Sequence, residues 1–336
     1  MKSVEVREFG IDQLALVEKE TPRPGPGEVL VRMTAASLNR RDHMVVTGTY
    51  NPKLPRPMVP LSDGGGIVEE VGPGVTRFKQ GDHVAACFMQ NWIDGPVNRE
   101  KGLSALGGSI DGVLREFAVF SVQGLVRVPP GLSDEEAATL PCAAVTAWHA
   151  LFEDHRGMPG DSVLLQGTGG VSIFALQFAK VAGLRVIITS SSDEKLARAR
   201  ELGAAETINY KRTPKWEEEA RNLTNGEGVD QVIEVGGSGT MPGSLRAVRT
   251  GGVVSVIGAL SGREATISPV QILMNSIQAK GIYVGSRAMF ERVNQAIAFH
   301  KIRPVIDRTF QWTEIRDALH YMETQQHFGK ICLSFR

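Results

Sequence analysis

The sequence predicts an α/β protein in which a β-rich part is joined to a parallel sheet with helices on both faces. Two observations predict this fold class. From residue 133 to residue 285, apolar runs of strand length alternate with segments of helical periodicity, an alternation typical of βαβ units and a parallel sheet. Before residue 143, turn glycines and prolines recur at short intervals between short apolar runs, which favours a compact barrel-like domain.

The individual elements follow from local patterns. Ser133 and Glu136, three residues apart, form a capping-box pattern that opens a helix. Ser268 followed by Pro269 marks another helix start, because proline fits the first turn of a helix. The predicted strands cover residues 4–7, 14–18, 29–34, 163–166, 186–188, 232–235, 252–258 and 281–285, and further helices cover residues 172–182, 192–202, 268–279 and 289–299.

A glycine turn lies between the strand at 163–166 and the helix at 172–182. With Ser172 in its last slot, the turn has the form G-x-G-x-x-S, in which a small serine still permits close packing of helix on strand. The start of a helix presents unpaired N–H groups and the positive end of its dipole to a phosphate. We therefore predict that a dinucleotide pyrophosphate binds at this turn. The alternative is an ordinary turn without a ligand. The residues of the glycine turn are Gly167, Thr168, Gly169, Gly170 and Val171.

Length and composition limit the class of protein. The 336 residues are enough for two domains with cores of their own. The 37 Lys and Arg balance the 37 Asp and Glu, so no global charge favours nucleic acid or an anionic membrane. No apolar run approaches the ~20 residues of a membrane span, the N-terminus is too charged for a signal peptide, and three scattered cysteines suit a reducing compartment. We expect a cytoplasmic protein that binds a small-molecule substrate, without nucleic-acid or membrane partners.

Five motifs together resemble the medium-chain dehydrogenase/reductase superfamily over essentially the whole chain. Besides the glycine turn they are GGGIVEEVG at 64–72, KQGDHV at 79–84, LPCAAVTAW at 140–148 and FGKI at 328–331. Within the superfamily the sequence resembles the zinc-free branch of quinone oxidoreductases and enoyl reductases. The resemblance implies a GroES-like catalytic domain, formed by residues 1–143 and 284–336, around an inserted Rossmann NADP-binding domain at 144–283, with the active site in the cleft between them.

The residues at the metal positions of the zinc enzymes indicate the branch. By the resemblance, Asn39 occupies the slot of the first zinc-binding cysteine and Ser62 that of the histidine, whereas Cys142 retains the second cysteine. Zinc requires three strong N, S or O ligands in a catalytic site, and one thiolate with an amide and a hydroxyl does not supply them. The segment 95–102 also lacks the four cysteines usual in its lobe. We expect no metal.

Catalytic candidates lie in the segment 39–50. The resemblance to zinc-free reductases suggests Tyr50 as the proton donor, since its phenol can donate a hydrogen bond and a proton; the alternative is an aromatic that only closes the substrate pocket. Asn39 is a candidate hydrogen-bond partner of the substrate carbonyl, or else part of a structural turn. Phe88 and Trp92 are candidates for the wall of the substrate pocket, with plain packing as the alternative.

The cofactor prediction depends on charge. An NAD-binding unit has an acid about 20 residues after the glycine turn, whereas here the second strand ends in serines and the first acid is Asp193. Hydroxyls and a nearby cation suit a 2′-phosphate, so we predict NADPH. Candidate contacts for its adenosine end are Ser190, Ser191, Lys195 and Tyr210; for its nicotinamide end, Thr146, Val235, Gly236, Ile257, Gly258 and Ala259; and, by the resemblance, Arg40 and Lys330.

Three functions are compatible with these residues. The first is an NADPH-dependent reductase of quinones, enones or similar activated double bonds. The second is an alcohol or aldehyde dehydrogenase of the same superfamily, and the third is a non-catalytic NADPH-binding sensor protein. A dimer or tetramer is expected by the resemblance, with an exposed sheet edge at residues 282–284 available for pairing across a two-fold axis.

Overall fold

The structure is a computed structural model that describes residues 1–262, 264 and 266–336. The chain divides into two compact units. The first unit comprises Met1–Val145 and Val284–Arg336, and the inserted unit comprises Thr146–Tyr283. The predicted α/β class is confirmed, with a β-rich first unit and a parallel sheet in the inserted unit.

The secondary structure follows the predicted alternation. In chain order the elements are β1 (Lys2–Val6), β2 (Leu14–Glu18), β3 (Glu28–Ser37), α1 (Arg40–Val46), β4 (Asp63–Val71), β5 (His83–Ala86), α2 (Arg99–Gly102), β6 (Phe117–Ser121), β7 (Leu125–Arg127), α3 (Asp134–Ala138), α4 (Val145–Trp148), β8 (Ser162–Gln166), α5 (Gly170–Val181), β9 (Arg185–Ser190), α6 (Asp193–Leu202), β10 (Glu206–Asn209), α7 (Trp216–Asn222), β11 (Val229–Glu234), α8 (Met241–Ala247), β12 (Val248–Val256), α9 (Pro269–Met274), β13 (Gln278–Gly281), α10 (Arg287–His300), β14 (Ile306–Gln311), α11 (Ile315–Glu323) and β15 (Lys330–Ser334).

The first unit is built on a seven-stranded sheet to which both ends of the chain contribute. Its order is β14-β15-β3-β4-β5-β7, and β6 also pairs with β3. The C-terminal strand β15 runs antiparallel to β3, with Cys332 opposite Ser37. Buried apolar side chains from both chain segments, such as Val31, Leu114 and Leu319, share one core, so the last 50 or so residues complete a unit begun by the first 145.

The inserted unit has a six-stranded sheet of order β10-β9-β8-β11-β12-β13. All its neighbouring strands are parallel. The strand order reverses between β8 and β11, and in open α/β sheets ligands bind at the carboxyl ends of the strands flanking such a reversal. The glycine turn follows β8 at this point.

Two local predictions are wrong in extent. The helix predicted over 268–279 is α9 and ends at Met274, because Ser276 has a φ of 47°, a left-handed conformation that ends a helix. The following residues instead form β13, which pairs with β12 and ends at Gly281, whereas the sequence predicts a strand over 281–285. Ile282 and Val284 are buried, so the sheet edge is β13 and not residues 282–284.

None of the helices in the described part of the chain combines the length and the apolar character that a membrane crossing requires.

Candidate active site

The glycine turn leaves the start of α5 accessible. Gly167 has a φ of 67°, a left-handed conformation that favours glycine. Gly169 precedes the helix without a side-chain cap, and a Cβ built on Gly167 or Gly169 would meet no described atom within 4 Å. The Ser172 hydroxyl is buried and donates to the Gln166 carbonyl oxygen at 2.7 Å. The uncapped N–H groups and the open space above them fit a pyrophosphate.

The predicted adenosine-end residues lie near one another at the carboxyl end of β9. Ser190 ends the strand, and its carbonyl oxygen accepts from the Tyr210 N–H at 3.1 Å. Lys195 lies in the first turn of α6, which Ser192 caps by accepting from the Lys195 N–H at 3.3 Å. Tyr210 is exposed. Serine hydroxyls, the Lys195 ammonium and the Tyr210 phenol therefore lie in one corner of the inserted unit.

Sequence reasoning missed how the first acid after the serines, Asp193, is held. The Asp193 carboxylate pairs with the Arg212 guanidinium at 2.6 Å and accepts from Asn209 Nδ2 at 2.8 Å. Both Asp193 and Arg212 are exposed, so the pair adds little to stability. It does offset the negative charge of Asp193 beside the serines, which favours a phosphate there.

A buried carboxylate organises the residues predicted for the nicotinamide end. Glu234 ends β11 and is fully buried. Five donors bind its two oxygens: Gly236 N–H and Gly237 N–H at 2.8 Å, the Thr240 hydroxyl at 2.6 Å, Gln166 Nε2 at 2.8 Å and the Ser244 hydroxyl. The carboxylate therefore holds the loop after β11 against β8 and α8.

Gln166 and Glu234 also hold the other residues predicted for the nicotinamide end. Gln166 Oε1 accepts from the N–H groups of Val235 and Gly236 at 3.2 and 3.3 Å. The Glu234 carbonyl oxygen accepts from Ile257 N–H at 2.8 Å and from Gly258 N–H at 3.3 Å. The structure thus brings Val235, Gly236, Ile257, Gly258 and Ala259 together at the ends of β11 and β12, while Thr146 is buried in α4.

In the first unit, Asn39 and Ser62, two of the residues at the metal positions, form a closed ring of polar contacts with Asp63 and Lys330. Lys330 Nζ donates to Asn39 Oδ1 at 2.7 Å and lies 3.8 Å from Asp63 Oδ2. Asn39 Nδ2 donates to Ser62 Oγ at 3.4 Å, and the Ser62 hydroxyl donates to Asp63 Oδ1 at 2.8 Å. Asp63 Oδ2 also accepts from the Cys142 N–H at 3.1 Å. We call Asn39, Ser62, Asp63 and Lys330 the polar ring.

Burial shifts the protonation of the groups around this ring. It raises the pKa of Asp63, against the opposing effect of the Lys330 ammonium. Burial raises the pKa of Asp42 to about 6, although the Arg41 guanidinium lowers it. Burial and the Asp63 carboxylate also raise the pKa of the Cys142 thiol. Asp42 Oδ2 accepts from the Asn39 N–H at 2.8 Å, which completes the capping box of α1 and fixes the Asn39 backbone.

Tyr50 packs beside a guanidinium that sequence reasoning did not single out. The Arg41 guanidinium lies 5.3 Å from the Tyr50 ring centroid and 4.6 Å from that of Phe88. Arg41 Nη1 also donates to the Leu106 carbonyl oxygen at 2.7 Å, and the Tyr50 N–H donates to the Met44 carbonyl oxygen at 2.9 Å. Tyr50 is partly exposed, so its ring is held while part of it stays accessible.

Several predicted site residues have other places in the structure. Lys330 is 3 % exposed and its ammonium contacts Leu38, Asn39 and Asp63, so the structure makes it a member of the polar ring, and its contact with the cofactor stays a prediction. Trp92 is buried and its indole N–H donates to the Gly95 carbonyl oxygen at 2.7 Å. Phe88 is buried against Arg41, and Arg40 is exposed at the start of α1.

The polar ring is not a metal-ligand set. Across residues 1–262, 264 and 266–336, no group of three or more His, Cys, Asp or Glu is arranged to hold a metal ion. An amide and a hydroxyl are weak zinc ligands, and a buried ammonium beside them repels a dication. What the ring can provide is hydrogen-bond donors in a fixed arrangement.

Two sequence families match this chain. The family described as alcohol dehydrogenase GroES-like domain matches residues 25–130, and the family described as zinc-binding dehydrogenase matches residues 170–299. The first match lies in the first unit and the second mostly in the inserted unit.

Individual proteins resemble the chain over nearly its whole length. A zinc-type alcohol dehydrogenase-like protein of Schizosaccharomyces pombe is 47% identical over 96% of either chain. A quinone oxidoreductase of Rattus norvegicus is 28% identical over 87% of this chain and 83% of its own.

Solved structures with high similarity include both types of nicotinamide enzyme. An NAD-dependent alcohol dehydrogenase is 34% identical, with a TM-score of 0.91 and full coverage of both chains. A mycobacterial protein complexed with NADPH is 25% identical, with a TM-score of 0.84 over 99% of either chain. Together with the glycine turn and the two-unit fold, these similarities show that the chain belongs to the medium-chain dehydrogenase/reductase superfamily, as an NAD(P)H-dependent oxidoreductase.

Proposed function

We propose that this protein uses NADPH to reduce a quinone, an enone or a similar activated double bond, without a zinc ion. The observation that carries the proposal is the polar ring. Its members offer an amide and a hydroxyl in two of the positions where zinc relatives have strong ligands, and they are bonded to one another around a buried ammonium. Polarising an alcohol without a Lewis acid is difficult, whereas an activated double bond needs only donors for the oxygen that gains charge.

The proposed mechanism gives each side chain a hydrogen-bonding task. NADPH, when bound, supplies a hydride to the β-carbon of the enone. Negative charge then collects on the substrate carbonyl oxygen, which the Asn39 amide N–H stabilises as a donor. Tyr50 donates the proton that completes the reduction. Both residues belong to the segment 39–50, where the α1 capping box and the Arg41 contacts fix them.

The cofactor preference is proposed from the corner at the end of β9. Serines replace the acid that would bind the ribose hydroxyls of NAD, Lys195 supplies a cation, and Arg212 offsets the charge of Asp193. The similar structures include an NAD-dependent enzyme as well as an NADPH complex. These residues of the chain itself are therefore the support for NADPH.

The proposed function is tested by NADPH oxidation against enones, quinones and simple alcohols, with zinc content measured on the same sample. We expect enones and quinones to be reduced, zinc to be far below one ion per chain, and activity to persist in a chelator. An alcohol dehydrogenase, the function suggested by the names of several relatives, would instead oxidise alcohols and lose activity with its metal. Stoichiometric zinc together with alcohol oxidation would overturn the proposal.

Lys195→Ala tests the cofactor preference separately. We expect NADPH binding to weaken by about 1.5–3 kcal/mol, the size of a charge-assisted hydrogen bond, and NADH binding to stay nearly unchanged. Dissociation constants from fluorescence titration measure both. Lys180→Ala is the matched control, because this exposed lysine lies at the other end of the neighbouring helix α5. Equal weakening of both cofactors would show that Lys195 supports the fold instead of the phosphate.

We also propose that the chain forms a homodimer or tetramer. The strand β13 ends the sheet of the inserted unit, and an open sheet edge favours pairing with another chain. The adjacent helix α9 carries exposed apolar side chains, among them Val270, Leu273 and Met274. The mass of the protein in solution distinguishes these assemblies from a monomer.

A further inference from the structure

We propose that Lys330 is a positioning residue for the reduction: its buried ammonium fixes the Asn39 carboxamide so that the amide N–H is turned toward the substrate oxygen. The inference rests on the proposed function, in which Asn39 is the hydrogen-bond donor to that oxygen. It assigns a task to a residue at the far end of the chain from the segment 39–50.

The chemistry of the two groups determines how the Asn39 amide is turned. An ammonium carries only donors, so it can face only the oxygen of a carboxamide and never its NH₂ group. Lys330 Nζ lies 2.7 Å from the atom assigned as Asn39 Oδ1. The NH₂ group of Asn39 is consequently directed to the other side, where one N–H donates to Ser62 Oγ at 3.4 Å, and we assign the other N–H to the substrate oxygen. Asn39 is partly exposed, whereas Lys330, Ser62 and Asp63 are buried. Asn39 is therefore the member of the polar ring that a substrate can reach.

Strand pairing brings Lys330 to this position. In the antiparallel pairing of β15 with β3, Cys332 lies opposite Ser37. Continuing that register by two residues places Lys330 opposite Asn39, immediately before α1. Lys330 Nζ also donates to the Leu38 carbonyl oxygen at 2.7 Å. Its position is thus fixed by the sheet and by two direct hydrogen bonds.

Asp63 makes the buried charge sustainable. A buried ammonium is costly unless a counter-charge and hydrogen bonds compensate it, and the Asp63 carboxylate, also buried, lies 3.8 Å away. Ser62 and the Cys142 N–H bind the same carboxylate. The arrangement concentrates a fixed positive charge directly behind the Asn39 oxygen. Such a charge polarises the amide and strengthens its N–H as a donor to a developing oxyanion.

The test is a double-mutant cycle between Lys330→Met and Asn39→Ala. In the parent protein, Lys330→Met is expected to lower kcat on an enone by roughly tenfold or more, since a misplaced donor loses much of its effect, with NADPH affinity unchanged within twofold. In the Asn39→Ala background the same substitution is expected to have no further effect on kcat, because the residue through which it acts is gone. Lys79→Met is the matched control, an exposed lysine of the first unit outside the polar ring.

Lys330→Met leaves the Asp63 carboxylate unpaired, so the charge-balanced variant Lys330→Met with Asp63→Asn provides a second measurement if the single variant does not fold. The same loss of kcat is expected from it. Equal loss of kcat in the parent and in the Asn39→Ala background, or no loss in either, would overturn the positioning role. If the parent protein reduces enones but the effects of Lys330→Met and Asn39→Ala on kcat are additive, this inference alone is overturned. A parent that reduces neither enones nor quinones overturns the proposed function and this inference with it.

Discussion

Tyr50→Phe is expected to lower kcat on an enone by roughly a hundredfold or more, the lower end of the contribution of a positioned general acid. Hydride transfer to the β-carbon places negative charge on the substrate carbonyl oxygen. A group that donates to that oxygen stabilises the transition state more than the ground state, and so acts on kcat. Phenylalanine retains the ring but cannot donate a proton.

The substitution Tyr50→Phe removes only the hydroxyl and keeps the other contacts of the residue. The ring contacts the Arg41 guanidinium, and the backbone N–H donates to Met44, neither of which needs the hydroxyl. Phenylalanine keeps both of these contacts, so we expect NADPH affinity to be unchanged. The kcat of Tyr50→Phe should fall less on quinones than on enones, since a reduced quinone can take its proton from water.

Steady-state rates on one enone and one quinone, with NADPH dissociation constants, measure these effects. Tyr321→Phe is the matched control, because it removes a hydroxyl that donates to Asp307 at 2.8 Å, outside the candidate site. The control is expected to keep the parent kcat. If Tyr50→Phe reduced enones at the parent rate, the proton would come from another group and Tyr50 would serve only as a wall of the substrate site.

Glu234→Gln is expected to lower the free energy of unfolding by about 3 kcal/mol or more and to weaken cofactor binding. Each of the two Glu234 oxygens accepts hydrogen bonds from two or three donors. Glutamine replaces one oxygen with a donor, so at least two buried or partly buried donors lose their acceptor whichever way the amide is turned. Leaving a buried polar group unsatisfied costs about 1–3 kcal/mol, and more where a charge is involved.

The loss of stability and the weaker cofactor binding expected of Glu234→Gln have one structural origin. Gly236 and Gly237 are held by the Glu234 side chain and Ile257 by its carbonyl oxygen. Since the total stability of a protein is about 5–15 kcal/mol, a loss of this size is readily measured by denaturant unfolding. Cofactor titration, at a temperature where the variant remains folded, measures the effect on cofactor binding of releasing the loop after β11.

Glu206→Gln is the matched control within the same sheet. Glu206 lies on β10 and pairs with Arg185 at 3.3 Å, with both side chains substantially exposed. Exposed pairs of this kind are worth about 0–1 kcal/mol, so the control should unfold close to the parent. A Glu234→Gln protein with parent stability and parent cofactor affinity would show that the carboxylate does not hold these loops.

The sequence by itself determined the fold class and the local elements around the glycine turn. Strand, glycine turn and helix are set by short-range preferences: a β run at 163–166, a φ that favours glycine at Gly167, and apolar spacing that continues through α5. The cap of α6 at Ser192 and the capping box of α3 at Ser133 were likewise predictable, since each needs only residues three positions apart.

Only the tertiary structure decided what the polar residues contact. Lys330 and Asn39 lie 291 positions apart and meet because β15 pairs with β3. The donors around Glu234 come from β8, the loop after β11 and α8, and Arg41 meets Tyr50 and Phe88 through folding of the first unit. The strand after α9 was also determined in this way, because residues 278–281 pair with β12. Local periodicity predicts an element, but a side chain's partners depend on strand order and register, which long-range burial and hydrogen bonding fix together.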